Sequence, residues 1–482
     1  MADDPNSRRN WRQRSVIFFT IYSLVIFFVV YAVLFLLFIE KCGSERVNCG
    51  LWNLEIITFF NDSINGSPLS TNASSDRPGI YVDGRGSSGN ETIFPHNDER
   101  ITEKQVVPEK VSGPKPLNKE VRESNWGMME KCDTGKGRWV YDESYPLYGA
   151  NDCRIVDEGF NCLGNGRTDT DYLKWRWDPE GCPLPRFNAS NMLNMIRGKR
   201  VVFAGDSLNR NQWESMLCLL IGAVKDPSKV YEARGRKIVK LQGDYVFKFS
   251  EHRCTVEFHV SHFLVREGKM RSKKKRMGTL QIDKVDRGSA TWINADILIF
   301  NTAHWWAHSK TKSGINYFQE GRTLHRRLDV FEAFRRALTT WASWIDQNIY
   351  PNKTRVFFRS AEPSHYRGGR WDSGGHCWGV LKPAKFATSE ESVRSEFDQI
   401  NIITKEIIRT MKTPVTILNI TGLSDLRIDA HPSKYFHKIK NSSTEDCSHW
   451  CLPGVPDTWN VVFVQSFVVF QHLKPYFYSY SE

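Results

Sequence analysis

A serine that could act as a nucleophile lies in residues 201–215, VVFAGDSLNRNQWES. The apolar start of this segment predicts a strand, the turn Gly205-Asp206-Ser207 follows, and the next residues predict a helix. Ser207 would then lie at a helix N-terminus, where free backbone N–H groups stabilise developing negative charge. This position suits a nucleophile with an oxyanion to stabilise, and Gly205 and Asp206 would support it. The alternative from this segment alone is that Asp206 or Ser207 merely caps the helix.

A base for Ser207 is available near the C-terminus, in the sequence DCSHWC. Asp446 and His449 are three residues apart, so a turn or short helix can place both side chains on one face. The carboxylate can then orient one imidazole nitrogen while the other nitrogen faces the serine. Disulfides at the flanking Cys447 and Cys451 could rigidify this turn. The alternative is a surface histidine that happens to lie near an aspartate.

A second histidine competes for the role of base. The segment LSDLRIDAHPS contains Asp425, Asp429 and His431. His431 precedes a proline, which favours a structural loop as its setting. We rank His431 below His449, because only His449 is bracketed by cysteines.

The segment NTAHWW follows another predicted strand. Asn301 could donate its side-chain amide to an oxyanion, or it could simply close a turn. Trp305 and Trp306 could form a stacking platform for sugars, although burial in a core is the commoner fate of tryptophan. A metal site is not expected, because the 13 histidines form no H-E-x-x-H motif and the cysteines form no paired C-x-x-C pattern.

The elements that must position these residues alternate between strands and helices. Strands are predicted at 200–204, 296–300, 355–359 and 415–418, and helices at 208–221, 328–348 and 393–407. This alternation predicts an α/β sandwich with a largely parallel central sheet. Sites in such sheets form at the carboxyl ends of the strands, where Ser207, Asn301 and Ser360 would lie.

An apolar run without charge occupies residues 15–39, and four arginines precede it. About 20 such residues span a bilayer as a helix, and the arginines favour a cytosolic N-terminus. We therefore expect a cytosolic tail at 1–14, a transmembrane signal-anchor at 15–39 and export of the rest. A flexible stem is predicted at 40–125, a Cys-rich N-terminal domain at 126–198 and a catalytic domain at 199–460.

Export agrees with the cysteines and the glycosylation sequons. Nine of the 11 cysteines lie between Cys132 and Cys451, and in a secretory compartment they are disulfide candidates. The net charge of +12 favours acidic partners, but export removes nucleic acid as an expected partner. The glycosylation candidates are Asn61, Asn65, Asn72, Asn90, Asn188, Asn352, Asn419 and Asn441.

These segments together resemble the plant trichome birefringence-like family. VFAGDSLNRNQWES resembles the GDS motif of that family, DCSHWCLPGVPDTWN resembles its DxxH motif, and CDTGKGRWVYDESYPLYGANDC resembles its N-terminal domain. The resemblance extends over residues 125–460. It implies an SGNH/GDSL-like core of the PC-esterase type in a single-pass type II Golgi membrane protein with a lumenal catalytic domain. It also implies O-acetylation of wall polysaccharides such as xylan, mannan, xyloglucan or pectin.

The resemblance also assigns roles to residues. It implies that Ser207 is the nucleophile, His449 the general base and Asp446 the residue that orients it, with Asn301 and Arg210 near the acyl oxygen. It implies that most of the lumenal cysteines pair, and that Cys377–Cys447 and Cys162–Cys451 tether the DxxH loop. The disulfide candidates are Cys132, Cys153, Cys162, Cys182, Cys218, Cys377, Cys447 and Cys451.

The expected reaction is a double displacement in which Ser207 takes an acetyl group and passes it to a sugar hydroxyl. No bound cofactor is expected; the co-substrate is acetyl-CoA or a downstream acetyl carrier. The expected partners are the polysaccharide acceptor, the Golgi membrane and an acetyl-donor transporter. Two alternatives stay open: an esterase with the same three residues, and a binding protein that holds a polyuronide through the basic run RSKKKR at 271–276.

The C-terminal segment departs from the family pattern. Members of the family commonly end soon after PDTWN with a short helical tail, whereas residues 461–482 begin with VVFVQSFVVF, an apolar and β-prone run. We therefore expect an atypical tail whose packing next to the DxxH loop differs from that of the family.

Overall fold

The computed structural model describes residues 133–239, 243–272, 275–307, 309–385, 391–438 and 444–477. All of them belong to one compact unit, Glu109–Glu482. The strands are β1 (Gly137–Tyr141), β2 (Trp175–Pro179), β3 (Arg200–Gly205), β4 (Val230–Glu232), β5 (Asp244–Phe249), β6 (Cys254–Val260), β7 (Val265–Ser272), β8 (Lys275–Val285), β9 (Ile297–Phe300), β10 (Phe318–Glu320), β11 (Thr323–Leu324), β12 (Arg355–Arg359) and β13 (Val415–Leu418). The helices are α1 (Ala189–Met195), α2 (Ser207–Ile221), α3 (Val330–Asn348), α4 (Glu391–Thr410), α5 (Thr421–Asp425) and α6 (Val455–Phe477).

Seven strands form the central sheet in the order β13-β12-β9-β3-β6-β5-β4. The first five run parallel, and β5 and β4 add antiparallel strands at one edge. The predicted α/β class and its largely parallel core are therefore confirmed. Because β3, β6 and β9 are parallel neighbours, the loops that follow them meet at one edge of the sheet.

Helices cover both faces of the central sheet. One core lies between the sheet and helices α3 and α4, where Trp341 and Phe358 are buried. The other core lies between the sheet and helices α2 and α6, where Trp213 and Phe463 are buried. Burial on both faces explains why β9, ILIF, is apolar at every position.

Two smaller sheets complete the described part. β1 and β2 form an antiparallel pair in which Trp139 lies opposite Trp177. A four-stranded sheet has the order β11-β10-β8-β7. The basic run at 271–276 spans the connection between β7 and β8, and Lys273 and Lys274 lie outside the described residues.

Three disulfides are described: Cys153–Cys218, Cys162–Cys451 and Cys377–Cys447. The last two are the pairs that the family resemblance implied. Cys182 is also disulfide-bonded, and Cys132 lies outside the described residues. Among the cysteines of the described ranges, Cys254 is free and buried.

The C-terminal run is helical. Val461 to Val469 continue helix α6, with Phe463 and Phe467 stacked against each other and packed on Phe357 of β12. Burial of one helical face against the sheet outweighs the β propensity of Val and Phe.

From the sequence we predicted a single-pass Golgi membrane protein with a lumenal catalytic domain. This prediction is wrong, because no helix in the described ranges is long and apolar enough to cross a bilayer. The apolar run at 15–39, the tail before it and the stem lie outside those ranges. The domain boundaries drawn from the sequence stay predictions.

The glycosylation candidates have different settings. Asn188 and Asn352 are exposed, whereas Asn419 is partly buried and donates to Asp133. The other candidates, Asn61, Asn65, Asn72, Asn90 and Asn441, lie outside the described residues. Glycosylation stays a prediction.

Candidate active site

Ser207 is the first residue of α2 and follows the carboxyl end of β3 after a single residue. The residue between them, Asp206, caps the helix, since its Oδ1 accepts from Leu208 N at 2.9 Å. From Val201 to Leu220 every residue is buried except Ser207, which is partly exposed. The capping role therefore belongs to Asp206, and Ser207 keeps its hydroxyl available at the protein surface.

His449 joins Ser207 to Asp446. The carboxylate of Asp446 can only accept, so Nδ1 of His449 carries the proton and donates to Oδ2 over 2.8 Å. Nε2 is left to accept from the Ser207 hydroxyl over 2.7 Å. The imidazole is therefore oriented to remove the proton of Ser207.

Asp446 is held as a carboxylate. Burial raises the pKa of this group, but the charge and hydrogen bonds of His449 and the backbone N–H of Ser448 outweigh burial and hold the pKa well below its ordinary value. Its Oδ1 accepts from the backbone N–H groups of Ser448 and His449 at 3.1 and 3.0 Å. The negative charge that orients His449 is thus maintained at neutral pH.

Helix α2 also holds the loop that carries His449. The Asn211 side chain, one turn after Ser207, accepts from Trp450 N at 2.8 Å and donates to Trp450 O at 3.2 Å. One helix therefore carries the serine and fixes the backbone next to the histidine. Asn211 was not among the residues predicted from the sequence; its signal is a second asparagine near the start of a helix that is otherwise packed in the core.

Gly205 and Asn301 hold the turn before Ser207. The side chain of Asn301 accepts from Asp206 N at 3.2 Å and donates to Asp206 Oδ1 at 2.9 Å. A Cβ on Gly205 would lie 2.0 Å from Asn301 Oδ1, so only glycine leaves room for this pair. Asn301 thus positions the turn, and its contact with an oxyanion stays a prediction.

Arg210 is committed to ion pairs within the protein. Its guanidinium lies 3.0 Å from Asp157 Oδ2 and 2.9 Å from Glu214 Oε1, and all three residues are buried. It also lies 5.3 Å from the ring centroid of Phe160, which in turn packs on the His449 ring at 5.4 Å. Arg210 therefore joins α2 to the described residues that precede α1, which we call the N-terminal segment.

Of the two candidate tryptophans, only Trp305 is partly exposed. Its ring stacks on His262 at 3.9 Å, and Lys310 Nζ lies 5.2 Å from its centroid. Lys310 also lies 4.1 Å from the ring of Trp371, which is 46% exposed. Trp306 is buried in the core against Phe318 and Phe334, so its faces are not available to a sugar.

The competing base, His431, does not face Ser207. It is buried behind the loop, with Nδ1 at 2.7 Å from His449 O and Nε2 at 2.6 Å from His365 Nδ1. Its position explains why the segment looked functional, since it contacts the same loop from the opposite side.

One group in the described ranges has the residue types of a metal site: Cys377, Glu445 and Cys447. The two sulfurs are bonded to each other as a disulfide and cannot act as thiolate ligands. Glu445 instead accepts from the backbone N–H groups of Cys377 and Trp378.

Comparison with known proteins places the chain in a family. Residues 184–466 match the GDSL/SGNH-like acyl-esterase family found in Pmr5 and Cas1p, and residues 130–183 match the PMR5 N-terminal domain. The chain is 53% identical to the protein trichome birefringence-like 6 of Arabidopsis thaliana over 76% of its own length and 81% of that relative.

Two further Arabidopsis thaliana relatives are longer. The chain is 49% identical to trichome birefringence-like 1 and 47% identical to trichome birefringence, each over 71% of its own length. It spans 62% and 57% of these two proteins, which is less than two thirds of their length. The matched regions contain Ser207, Asp446 and His449 within the acyl-esterase-like domain. The chain therefore belongs to the plant trichome birefringence-like family.

Proposed function

We propose that this protein transfers acetyl groups to hydroxyls of a plant cell-wall polysaccharide through Ser207. The observation that carries the proposal is the hydrogen-bonded series Ser207–His449–Asp446, with contacts of 2.7 and 2.8 Å. Membership in a family with an acyl-esterase-like domain supports acyl chemistry at this serine.

The first half of the reaction forms an acetyl-enzyme. His449 Nε2 takes the proton of Ser207 as Oγ attacks the acetyl carbonyl of the donor, and Asp446 stabilises the imidazolium that results. Backbone N–H groups at the start of α2 stabilise the oxyanion of the tetrahedral intermediate. The intermediate collapses when the leaving group takes the proton from His449, which leaves the acetyl ester on Ser207.

The second half transfers the acetyl group to the sugar. His449 removes a proton from the acceptor hydroxyl, whose oxygen attacks the acetyl-Ser207 carbonyl. Ser207 leaves and regains the proton from His449. No bound cofactor takes part; acetyl-CoA, or a carrier downstream of an acetyl-donor transporter, supplies the acetyl group.

The partly exposed ring of Trp305 supports a polysaccharide acceptor. It follows β9, the neighbour of the strand that precedes Ser207, so both residues lie beyond the same edge of the sheet. Aromatic faces stack on the C–H faces of sugars, and Lys310 between Trp305 and Trp371 adds a positive charge. Xylan and pectin are the acceptors that we propose.

The decisive experiment compares Ser207→Ala with wild type on xylan and pectin oligosaccharides, with mass-spectrometric detection of added acetyl groups. We expect no transfer by Ser207→Ala and normal transfer by a control, Ser228→Ala, whose exposed hydroxyl donates to Asp226. Full transfer by Ser207→Ala would contradict the proposal. Pectin binding that survives the substitution, with no transfer by wild type, would instead support a binding protein.

An esterase is the second candidate function, because the matched family is described as one of acyl-esterases. The same three residues would then pass the acetyl group from the polysaccharide to water. Incubation of the protein with acetylated xylan in the absence of a donor separates the two functions. Release of acetate faster than transfer to an added acceptor would favour the esterase.

A further inference from the structure

A row of buried titratable side chains lies behind the loop that carries His449. Asp425, His365 and His431 are 5%, 6% and 2% exposed. They come from the end of α5, the loop after β12 and the segment after α5, so they are brought together only by the fold. The contacts run from Asp425 Oδ1 to His365 Nε2 at 3.6 Å, from His365 Nδ1 to His431 Nε2 at 2.6 Å, and from His431 Nδ1 to His449 O at 2.7 Å.

The positions of the protons in this row can be assigned by starting from the contact between His431 and the backbone carbonyl of His449. A backbone carbonyl only accepts, so Nδ1 of His431 carries a proton and donates to His449 O. Burial and the neighbouring His365 lower the pKa of His431 well below its ordinary value, so the ring is neutral and Nε2 is an acceptor. His365 must therefore donate from Nδ1, while its Nε2 faces Oδ1 of Asp425 at 3.6 Å.

This assignment gives the row a direction. Nδ1 of His365 and Nδ1 of His431 both donate towards the loop, and the second of them holds the carbonyl of His449. The N–H of the same residue is held by Asp446 Oδ1 at 3.0 Å. Both backbone polar groups of His449 are therefore fixed by side chains, one from each side.

The row is itself anchored. Trp450 covers the His431 ring, with centroids 4.1 Å apart, and Arg167 donates to His431 O at 3.2 Å. The backbone N–H of His365 donates to Cys447 O at 3.0 Å. A proton added to Nε2 of His431 would place two donors face to face and would break the contact with His365.

We propose that His431, oriented by His365 and Asp425, is a positioning residue that fixes the His449 backbone and thereby aims the imidazole at Ser207. The inference rests on the proposed function of Ser207 and deepens it. A direct readout is the rate at which a serine-directed fluorophosphonate probe labels Ser207, because this rate requires activation of the serine but neither the natural donor nor the acceptor.

The matched pair of variants is His431→Asn and His431→Gln. The Asn amide lies where Nδ1 was and can still donate to His449 O, whereas the Gln amide lies nearer to the former Nε2 and cannot. Both variants lose the ring that packs on Trp450, so they lose similar packing. We expect His431→Asn to label within about three-fold of wild type and His431→Gln to label at least about ten-fold more slowly, since small misplacement of a catalytic group costs such factors.

Melting temperatures and the kcat and KM for p-nitrophenyl acetate complete the test. A positioning role lowers kcat in His431→Gln at unchanged KM, with equal melting temperatures in the two variants. Equal labelling rates in the two variants would overturn the inference. If neither variant folds, His365→Asn, which keeps a donor towards His431, should label faster than His365→Leu, and equal rates there would overturn it too.

The outcomes separate this inference from the proposed function. A wild-type protein that does not label at Ser207 contradicts the proposed function and, with it, the positioning role. A wild-type protein that labels, with His431→Gln equal to His431→Asn, contradicts only the role of His431.

Discussion

At the scale of single residues, the site depends on polar side chains that hold backbone. Asp206 caps α2, Asn301 holds Asp206, and Asn211 holds Trp450. Each of these bonds is buried, so loss of either partner leaves a polar group without compensation, at a cost of about 1–3 kcal/mol. The orientation of Ser207 and His449 is therefore coupled to the stability of the surrounding turns.

The turn before Ser207 gives the first prediction. Gly205→Ala places a Cβ 2.0 Å from Asn301 Oδ1, so Asn301 must move away from Asp206. We expect the free energy of unfolding to fall by about 2 kcal/mol, as for overpacked cores. Labelling of Ser207 should slow as well, because the turn that presents it is displaced.

Gly222→Ala is the matched control for Gly205→Ala. Gly222 ends the same helix with φ −59°, and its nearest neighbour, Leu219 O, would lie 3.9 Å from the new Cβ. We expect a change in stability of no more than about 0.5 kcal/mol and unchanged labelling. Chemical denaturation of both variants measures the difference, and equal stabilities would show that the Asn301 contact does not require glycine.

At the scale of elements, two disulfides fasten the loop with His449 at both ends. Cys447 follows Asp446 and pairs with Cys377, and Cys451 pairs with Cys162 of the N-terminal segment. Cys451 N also donates to Ala430 O, and Trp450, between the two disulfides, is held by Asn211. A loop without regular secondary structure is thereby held in place for His449.

The second prediction compares two disulfides that close loops of similar length. Cys377–Cys447 and Cys153–Cys218 are separated by 70 and 65 residues, so loss of either should cost about 4 kcal/mol by the loop-entropy estimate. Only the first borders Asp446. We expect the double alanine variants to lose similar stability, while kcat falls only when Cys377 and Cys447 are replaced.

The assay for the disulfide pair must be made at a temperature where both variants remain folded, as judged by circular dichroism. Equal kcat in the two folded variants would show that the Cys377–Cys447 bond acts only on global stability. Equal loss of kcat in both would point to a general loosening of the fold.

The local sequence pattern predicted the positions of helices and strands better than the pairing of the strands. The strands 355–359 and 415–418 and the helix that ends at Ile221 match the structure, because apolar periodicity reports directly on burial. The antiparallel strands β4 and β5 were not predicted, since their pairing with β6 depends on non-local register. The helix over the VVFVQSFVVF run was not predicted, because burial of its apolar face against the sheet overrides the β propensity of its residues.

The candidate site was predictable to the extent that it lies in short motifs. Ser207 could be singled out by its place between a predicted strand and a predicted helix, and Asp446 and His449 by their three-residue spacing, which suits a known proton transfer. His431 was considered as a second base and ranked below His449, but its contact with the His449 backbone was not foreseen, because the sequence does not reveal which face of a loop a ring contacts. Asn211 contacts the backbone of Trp450 across 239 residues, and His365 contacts the ring of His431 across 66 residues, which no local pattern encodes.

At the scale of the whole molecule, the chemistry joins distant parts of the chain. Ser207 and His449 are 242 residues apart, and the disulfide that holds the end of the His449 loop spans 289 residues. The N-terminal segment therefore contributes to the site through Cys162, Phe160 and Arg167. We infer that activity reports on the integrity of the entire described unit and not only on the acyl-esterase-like domain.

The dependence of stability on pH gives the last prediction. Asp457 of α6 is buried, and its partners are the hydroxyls of Ser215 and Tyr148 and the backbone N–H of Gly454. Burial raises its pKa from 3.8 to about 7, although these three hydrogen bonds lower it in part. Between these two values the folded protein binds one proton more than the unfolded chain.

The stabilising contribution of the Asp457 proton is therefore complete below pH 3.8 and is lost as the pH rises to about 7. The slope is at most about 1.4 kcal/mol per pH unit and halves at the folded pKa, so the free energy of unfolding should fall by roughly 2 kcal/mol between pH 5 and 7 on account of this group. Asp457→Asn removes the titration, and its amide can still accept from Gly454 N–H and donate to Ser215.

We expect Asp457→Asn to lose less stability than wild type between pH 5 and 7 in guanidinium denaturation. The difference between the two proteins isolates Asp457, because other groups that titrate in this window, such as His259 with its raised pKa and His431 with its lowered pKa, are common to both. Parallel curves for the two proteins would mean that Asp457 is ionised in the folded state at pH 5. In that case the hydrogen bonds from Ser215, Tyr148 and Gly454 would outweigh the cost of burial.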